Sequence, residues 1–266
     1  MKKTAAVRTA ALALGVAASG VTGFAVGGPE KIKFPNDYLK GTLYATVDRP
    51  DTKQYRELYA SPGVVEAVRA GKPIPSGAVL TLVQWSVQQD DKGVPLKDSN
   101  GRFLKKDILA HTVMEKRTGW GAEYGPELRN GEWEYSVFNP AGEFNPKANF
   151  KSCFECHLPH AKLDYVTSLA KLAGKFPDAS SVAKAPKGDV QIVGFQFMPA
   201  KISATAGKPL KFLNTDDSPH FIVVQGGPKT DVILRGQTAS VTFDKAGGFN
   251  YICGLHPSMK GTIEVK

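Results

Sequence analysis

The sequence predicts an α+β domain followed by an all-β sandwich, and three observations carry that expectation. Residues 30–174 mix two periodicities. "TKQYRELYASPGVVEAVRAG" and "DYVTSLAKLAG" read as helical, whereas "GAVLTLVQWSVQ", "DILAHTVMEKR" and "GEWEYSVFN" read as strands. Residues 188–266 hold short alternating segments, "VQIVGFQFMPAKISATAG", "PLKFLNTD", "HFIVV", "DVILR", "ASVTFD" and "GFNYIC", separated by Gly, Pro and Asp turns at the spacing of a small sandwich. Between them, "KFPDASSVAKAPKG" from 175 has no apolar periodicity and is rich in Pro, Ala, Ser and Lys, so 175–187 reads as a linker.

Ahead of both domains, residues 1–29 carry a Lys-Lys start, a weakly apolar Ala/Gly/Val/Leu run and small residues near a plausible cut, the pattern of a cleaved secretory signal. A retained anchor is the competing reading. Arg8 interrupts the run, and Ala and Gly contribute little transfer free energy, which disfavours it. Export implies a periplasmic, oxidising compartment, and no later stretch is apolar enough for stable membrane insertion. The formal charge of +9 becomes +6 once Lys2, Lys3 and Arg8 leave with the leader. The remaining lysines are scattered, a pattern of solubility or of docking to an acidic partner and not of nucleic-acid binding.

An exported chain normally pairs its cysteines, yet this one has only three, and two of them are separated by only two residues. Their sulfurs are therefore expected to bind cofactors. Cys153, Cys156 and His157 form C-x-x-C-H, in which two thiols add to the haem vinyl groups and the adjacent imidazole becomes the axial iron ligand. A thioredoxin-like pair needs no His at the next position, and a zinc cluster needs a second C-x-x-C that the chain lacks. One covalent haem c is the expectation. His111, Met114, His160 and Met198 are candidates for the sixth coordination position, although each also has an ordinary role in packing or at the surface, and an open or weakly filled distal side is favoured.

Residues 35–172 carry "YRELYASP", "GKPIPSGAVLTLV", "VMEKRTGWG", "NGEWEYSVF", "CFECH" and "DYVTSLAKL" in that order, and in this they resemble the cytochrome P-460 family, which includes the cytochromes c′-beta. The resemblance implies a mostly antiparallel β fold with flanking helices, a five-coordinate haem c, and chemistry on hydroxylamine or nitric oxide. It makes His157 the proximal ligand and places Arg56 and Glu115 among the polar groups of the distal pocket. There a carboxylate relays protons and an arginine steadies a polar ligand. Both residues also fit surface ion pairs. Hydroxylamine-oxidising members of the family cross-link a lysine to the haem edge. The equivalent position here is Leu82, flanked by Thr81 and Val83, while Lys92 and Lys97 lie too far along, so the resemblance points to the c′-beta type.

The third cysteine begins "CGLHPSM", which offers Cys253, His256 and Met259 at spacings of three. A blue-copper site takes a thiolate, two imidazoles and a weak axial thioether, and His220 is the only upstream histidine of this domain. Zinc is the competing ion but prefers a carboxylate or second thiolate to a thioether. The alternative without metal makes Cys253 and Met259 core filler and the two histidines surface residues. Residues 188–266 resemble the plastocyanin and amicyanin cupredoxins, with the short loop on the amicyanin side. The resemblance implies a Greek-key sandwich, one type 1 copper held by His220, Cys253, His256 and Met259, and an electron port at the C-terminal histidine edge, here near Leu255, Pro257, Met198 and Pro199. Those proteins usually follow the first histidine with Asn; here Phe221 stands there, which leaves the support of the ligand loop open.

Two functional readings follow. In one, a periplasmic haem–copper oxidoreductase converts a small nitrogen-oxide ligand, nitric oxide ahead of hydroxylamine, and the copper site moves electrons for it. In the other, the chain is a non-catalytic carrier or a nitric oxide binding protein. Expected partners are periplasmic redox proteins and the nitrogen ligand, with dimerisation of the haem domain a further expectation.

Overall fold

A computed structural model describes residues 27–266, so the expected leader lies outside the described residues except for its last three positions. The first domain is a five-stranded antiparallel sheet in simple order: β1 (Thr42–Arg49), β2 (Gln54–Ala60), β3 (Val79–Val87), β4 (Lys105–Lys116) and β5 (Trp133–Phe138). One expected helix is corrected. Within "TKQYRELYASPGVVEAVRAG", the portion Gln54–Ala60 is β2, and only α1 (Val64–Arg69) is helical. Pairing with both neighbouring strands stabilises the tyrosine-bearing portion as strand, and Ser61-Pro62-Gly63 breaks the chain before the valine-rich turn.

Register separates the two faces of this sheet. Leu58 pairs with Leu82, Leu82 with Thr112, Leu80 with Met114, and Met114 with Tyr135, so these side chains share one face. That face is covered by α1, α2 (Phe150–His157) and α3 (Leu169–Leu172), with Val64, Leu80, Trp133, Tyr135, Phe154 and Leu172 at its core. On the other face, Val79, Glu115 and Glu134 align, as do Val83, His111 and Phe138, beneath Ile32, Phe34 and Trp120.

The segment expected as a linker contains one helical turn, α4 (Ser180–Ala183), and Ser181 Oγ donates to Arg235 O at 3.3 Å. Beyond it, β6 (Val190–Val193), β7 (Gln196–Met198), β8 (Lys201–Ala204), β9 (Leu210–Asn214), β10 (Ile222–Val224), β11 (Thr238–Val241), β12 (Gly247–Cys253) and β13 (Lys260–Val265) form two sheets, ordered β10-β12-β13-β8 and β11-β9-β6-β7. Alternating residues point inward, as in β6, and Ile192, Phe197, Phe212, Ile222, Tyr251 and Ile263 fill the space between the sheets. The segment "DVILR" makes only an isolated bridge, Ile233 to His220, and β13 is a strand that the sequence reading did not single out. Among the described residues no helix is long and apolar enough to cross a membrane.

Glu134 is fully buried, accepting from Tyr124 Oη at 2.6 Å and from Tyr135 N at 3.0 Å. Burial pushes its carboxyl above the ordinary value of 4.5, outweighing those two hydrogen bonds. A raised carboxyl favours the folded state while protonated, so its contribution is complete below the unfolded value and is lost as pH rises through the folded one. Urea midpoints of the wild type are therefore expected to fall as pH rises above about 4.5, and Glu134→Gln to flatten that decline; identical pH profiles would refute this assignment.

Candidate haem and copper centres

Helix α2 places Cys153, Cys156 and His157 within one turn, where positions three and four apart share a face. Asn149 caps it by accepting from Ser152 N at 3.3 Å. Phe154 is buried in the core against Tyr135, whose ring also meets that of His157 at 4.9 Å, and Asn130 Nδ2 donates to Phe154 O at 3.1 Å. None of the three cysteines forms a disulfide.

His157 Nδ1 lies 2.6 Å from Tyr165 O, so Nδ1 donates and Nε2 is left with its lone pair. That carbonyl is presented by an unusual turn in which Asp164 and Tyr165 both adopt left-handed φ values, 49° and 59°. Lys116 Nζ and Trp133 Nε1 hold the Asp164 carboxylate at 2.7 and 3.3 Å. Burial pushes His157 below the ordinary imidazole range, which favours the neutral, ligating form. The ring borders a cavity of about 120 Å³ whose walls include Leu58, Leu80, Leu82, Met114 and Tyr44. A proximal imidazole with a fixed tautomer, two unpaired thiols on the same turn and an apolar wall opposite fit a covalently attached haem.

The sequence-predicted neighbours divide between the two faces of the sheet. Met114 and Leu82 border the cavity. Glu115 does not: it lies on the opposite face, 5 % exposed, in an ion pair with Arg117, so the expectation of a distal-pocket carboxylate is corrected. Adjacent strand residues point to opposite faces, and Glu115 pairs across the sheet with Val79 and Glu134 on the face away from Met114. His111 is likewise on the far side, its ring 4.9 Å from that of Phe34. Arg56 shares the sheet face of Leu58 but does not line the cavity, and its guanidinium donates to Gln54 Oε1 at 2.8 and 3.0 Å. His160 packs against Phe221, and Met198 is exposed on the second domain.

The copper ligands do converge. Cys253 ends β12, and the loop closes on itself through Cys253 N to Met259 O at 3.2 Å, His256 N to Cys253 O at 3.1 Å and Met259 N to His256 O at 2.9 Å. His220 Nδ1 and His256 Nδ1 lie 3.4 and 3.6 Å from Cys253 Sγ and 3.2 Å from each other, a spacing suited to three donors sharing one ion. All three are buried, and Met259 is buried in the same loop. A thiolate with two imidazoles is the donor set of a blue-copper centre.

Asp216 supports this site, and sequence reasoning did not single it out. Its Oδ2 lies 3.1 Å from His220 Nε2, which fixes the tautomer and aims Nδ1 at the sulfur. The same carboxylate accepts from Gly194 N and Phe195 N, two consecutive residues with left-handed φ, and its own N donates to Asn214 Oδ1 at 2.8 Å. Burial opposes a charge on His220, but Asp216 and Cys253 outweigh it and hold the imidazole above its ordinary value. Phe221 lies against Gly254, where a β-carbon would fall 1.9 Å from the ring, and Gly254 N donates to Phe221 O at 3.0 Å. The one available signal for Asp216 was an acidic residue four positions before a ligand in "NTDDSPH".

Fold and site together define a redox protein that carries electrons through a haem domain and a copper domain on one chain. The chain belongs to the cytochrome P460 family, whose model matches residues 35–168, and a cupredoxin-like domain model matches residues 167–265. Amicyanin-alpha of Methylorubrum extorquens is 31 % identical over 112 residues, covering 40 % of this chain and 94 % of that protein. Amicyanin of Paracoccus denitrificans is 27 % identical over 100 residues, covering 34 % of this chain and 76 % of the relative. A solved structure of a reduced amicyanin variant aligns at 25 % identity with a TM-score of 0.29, over 34 % of this chain and 96 % of that one.

Removing the Asp216 carboxylate tests its role at the site. Asp216→Ala is expected to weaken copper binding about 10–100-fold, read by competition with a chromophoric chelator. Unchanged affinity in a folded variant would show that His220 needs no such partner.

Proposed function

We propose that the chain is an exported, periplasmic haem–copper protein, with a haem domain over 30–174, a connecting segment over 175–187 and a copper domain over 188–266. Cys153 and Cys156 would attach one haem c and His157 would ligate its iron; His220, Cys253, His256 and Met259 would hold one type 1 copper. Those groups supply one-electron chemistry and a binding position for a small molecule. Nitric oxide is the favoured ligand. The observation that carries this reading is the cavity beside His157, where Leu58, Leu80, Leu82, Met114 and Val166 alternate with the hydroxyl-bearing Tyr44, Thr81, Thr112, Tyr135, Thr167 and Ser168 and no carboxylate takes part in the lining. Nitric oxide is small, uncharged and nearly apolar, whereas oxidation of hydroxylamine releases protons and calls for a nearby base.

Leu82 on that wall supports the reading that no lysine cross-links the haem, since the position aligned with the cross-link carries an aliphatic side chain. The lack of a base in the lining also favours the second reading, a haem that holds nitric oxide while copper exchanges electrons, without turnover. In both readings, other redox proteins act as partners.

Anaerobic addition of nitric oxide to the reduced protein is expected to change the haem spectrum stoichiometrically, and hydroxylamine to be consumed at no more than the uncatalysed rate. Peptide mass spectrometry is expected to find haem attached through Cys153 and Cys156 alone. Catalytic consumption of hydroxylamine, or a third attachment through a lysine, would reverse the assignment.

A further inference from the structure

The resemblance to the cupredoxins implies an electron port at the His256 edge, open to a partner. Here that edge is covered: His256 is 7 % exposed, although Pro257 and Ser258 beside it reach solvent. The cover is Phe195 of the copper domain, on which the haem domain in turn packs. Arg49, the last residue of β1 and 6 % exposed, lays its guanidinium 4.8 Å over the Phe195 ring, and that ring meets the His256 ring edge-on at 4.7 Å. Arg49 also forks onto Asp51 with Nε to Oδ1 at 2.8 Å and Nη2 to Oδ2 at 2.7 Å. Asp51 Oδ2 in turn accepts from Ser258 Oγ at 2.7 Å, across the domain boundary and inside the copper loop.

Two further contacts hold the same relation between the domains. His160, three residues beyond His157, meets Phe221 edge-on at 5.1 Å, and Phe221 is peptide-bonded to His220. Lys171 Nζ on α3 donates to Asp217 Oδ1 at 2.7 Å, next to Asp216. His160 and Arg49 thus bring the end of the haem-attachment helix and the end of β1 against the copper domain.

We propose that the Arg49–Asp51–Ser258 clamp fixes the copper loop against the β1–β2 turn while His160 and Phe221 hold the copper domain beside the end of the haem-attachment helix, so that the two centres exchange electrons within the chain and a separate redox protein docks elsewhere than at His256. The inference rests on the haem and copper assignments above. The exchange is one electron, ferrous iron and cupric copper becoming ferric and cuprous, or the reverse, with no bond made or broken. Arg49, Asp51 and Ser258 are positioning residues and touch neither cofactor's reacting atom.

The full-length protein bearing both centres, half-reduced by a photoexcited flavin, tests the clamp. Wild-type electron redistribution is expected to be first order and unchanged across a dilution series. Asp51→Ala is expected to slow it about tenfold or more with both absorption spectra intact, and to speed hydrogen exchange of amides 254–258. Arg49→Lys, which keeps the charge but loses the fork, is expected to fall between. Ser258→Ala, at an exposed position, serves as the mild variant if Asp51→Ala does not fold. Redistribution that scales with protein concentration, or clamp variants with unchanged rates and unchanged exchange, would overturn the proposal. If either centre fails to form in the wild type, the functional reading falls, while exchange at 254–258 and small-angle scattering still decide whether the clamp exists.

Discussion

A side chain on a β-strand has two directions to point, and that constraint decides which residues of the first domain can reach its cofactor site. The five strands form one continuous sheet, and although the β3–β4 register shifts beyond Gln84, the regular pairing of Leu58, Leu80, Leu82, Thr112, Met114, Glu115 and Tyr135 assigns each of these residues to a face. The face that receives α2 is aliphatic and thioether-lined where His157 meets it; the carboxylates and His111 lie behind, under Phe34 and Trp120. Exchanging the faces would put Glu115 and Glu134 where Met114 and Tyr135 stand. The chemistry open to the cavity is thus a property of pairing as much as of composition.

Both domains solve the same problem, that of presenting one nitrogen of an imidazole, with different acceptors. His157 is oriented by a neutral backbone carbonyl, delivered by two strained residues whose carboxylate is anchored to Lys116 and Trp133. His220 is oriented by the ionisable carboxylate of Asp216. A charged acceptor raises the basicity of the ring it orients more than a neutral one does, so the copper ligand is the more strongly donating of the two. Asp216 also ties down Gly194 and Phe195, and Phe195 carries the contact to Arg49, so one carboxylate links ligand orientation to the packing of the loop above it.

Local patterns were legible in the sequence; pairing was not. C-x-x-C-H and C-x-x-H-x-x-M are readable because a single turn brings their residues together, and the alternation of "VQIV" or "GFNYIC" shows the inward face directly. The His220 contribution was readable because the second domain holds so few histidines. Glu115 was misplaced because motif order fixes a residue's neighbours along the chain but not its face. In "NTDDSPH" two adjacent aspartates diverge: Asp216 turns inward to His220, and Asp217 turns outward to Lys171 and Arg235. Nothing in the order of letters distinguishes them, since the choice is made by partners on other segments. The helical reading of "TKQYRELYA" failed for the same reason, as both flanking strands recruit Gln54–Ala60 into the sheet.

The contact of Phe221 with Gly254 has a consequence for protein engineering. The aromatic ring occupies the volume that any side chain at 254 would need, so the two positions behave as one unit of shape. Grafting the 253–259 segment onto another scaffold therefore means transplanting residue 221 with it, and exchanging Phe221 for a smaller amide would open a gap beside the sulfur that solvent could enter.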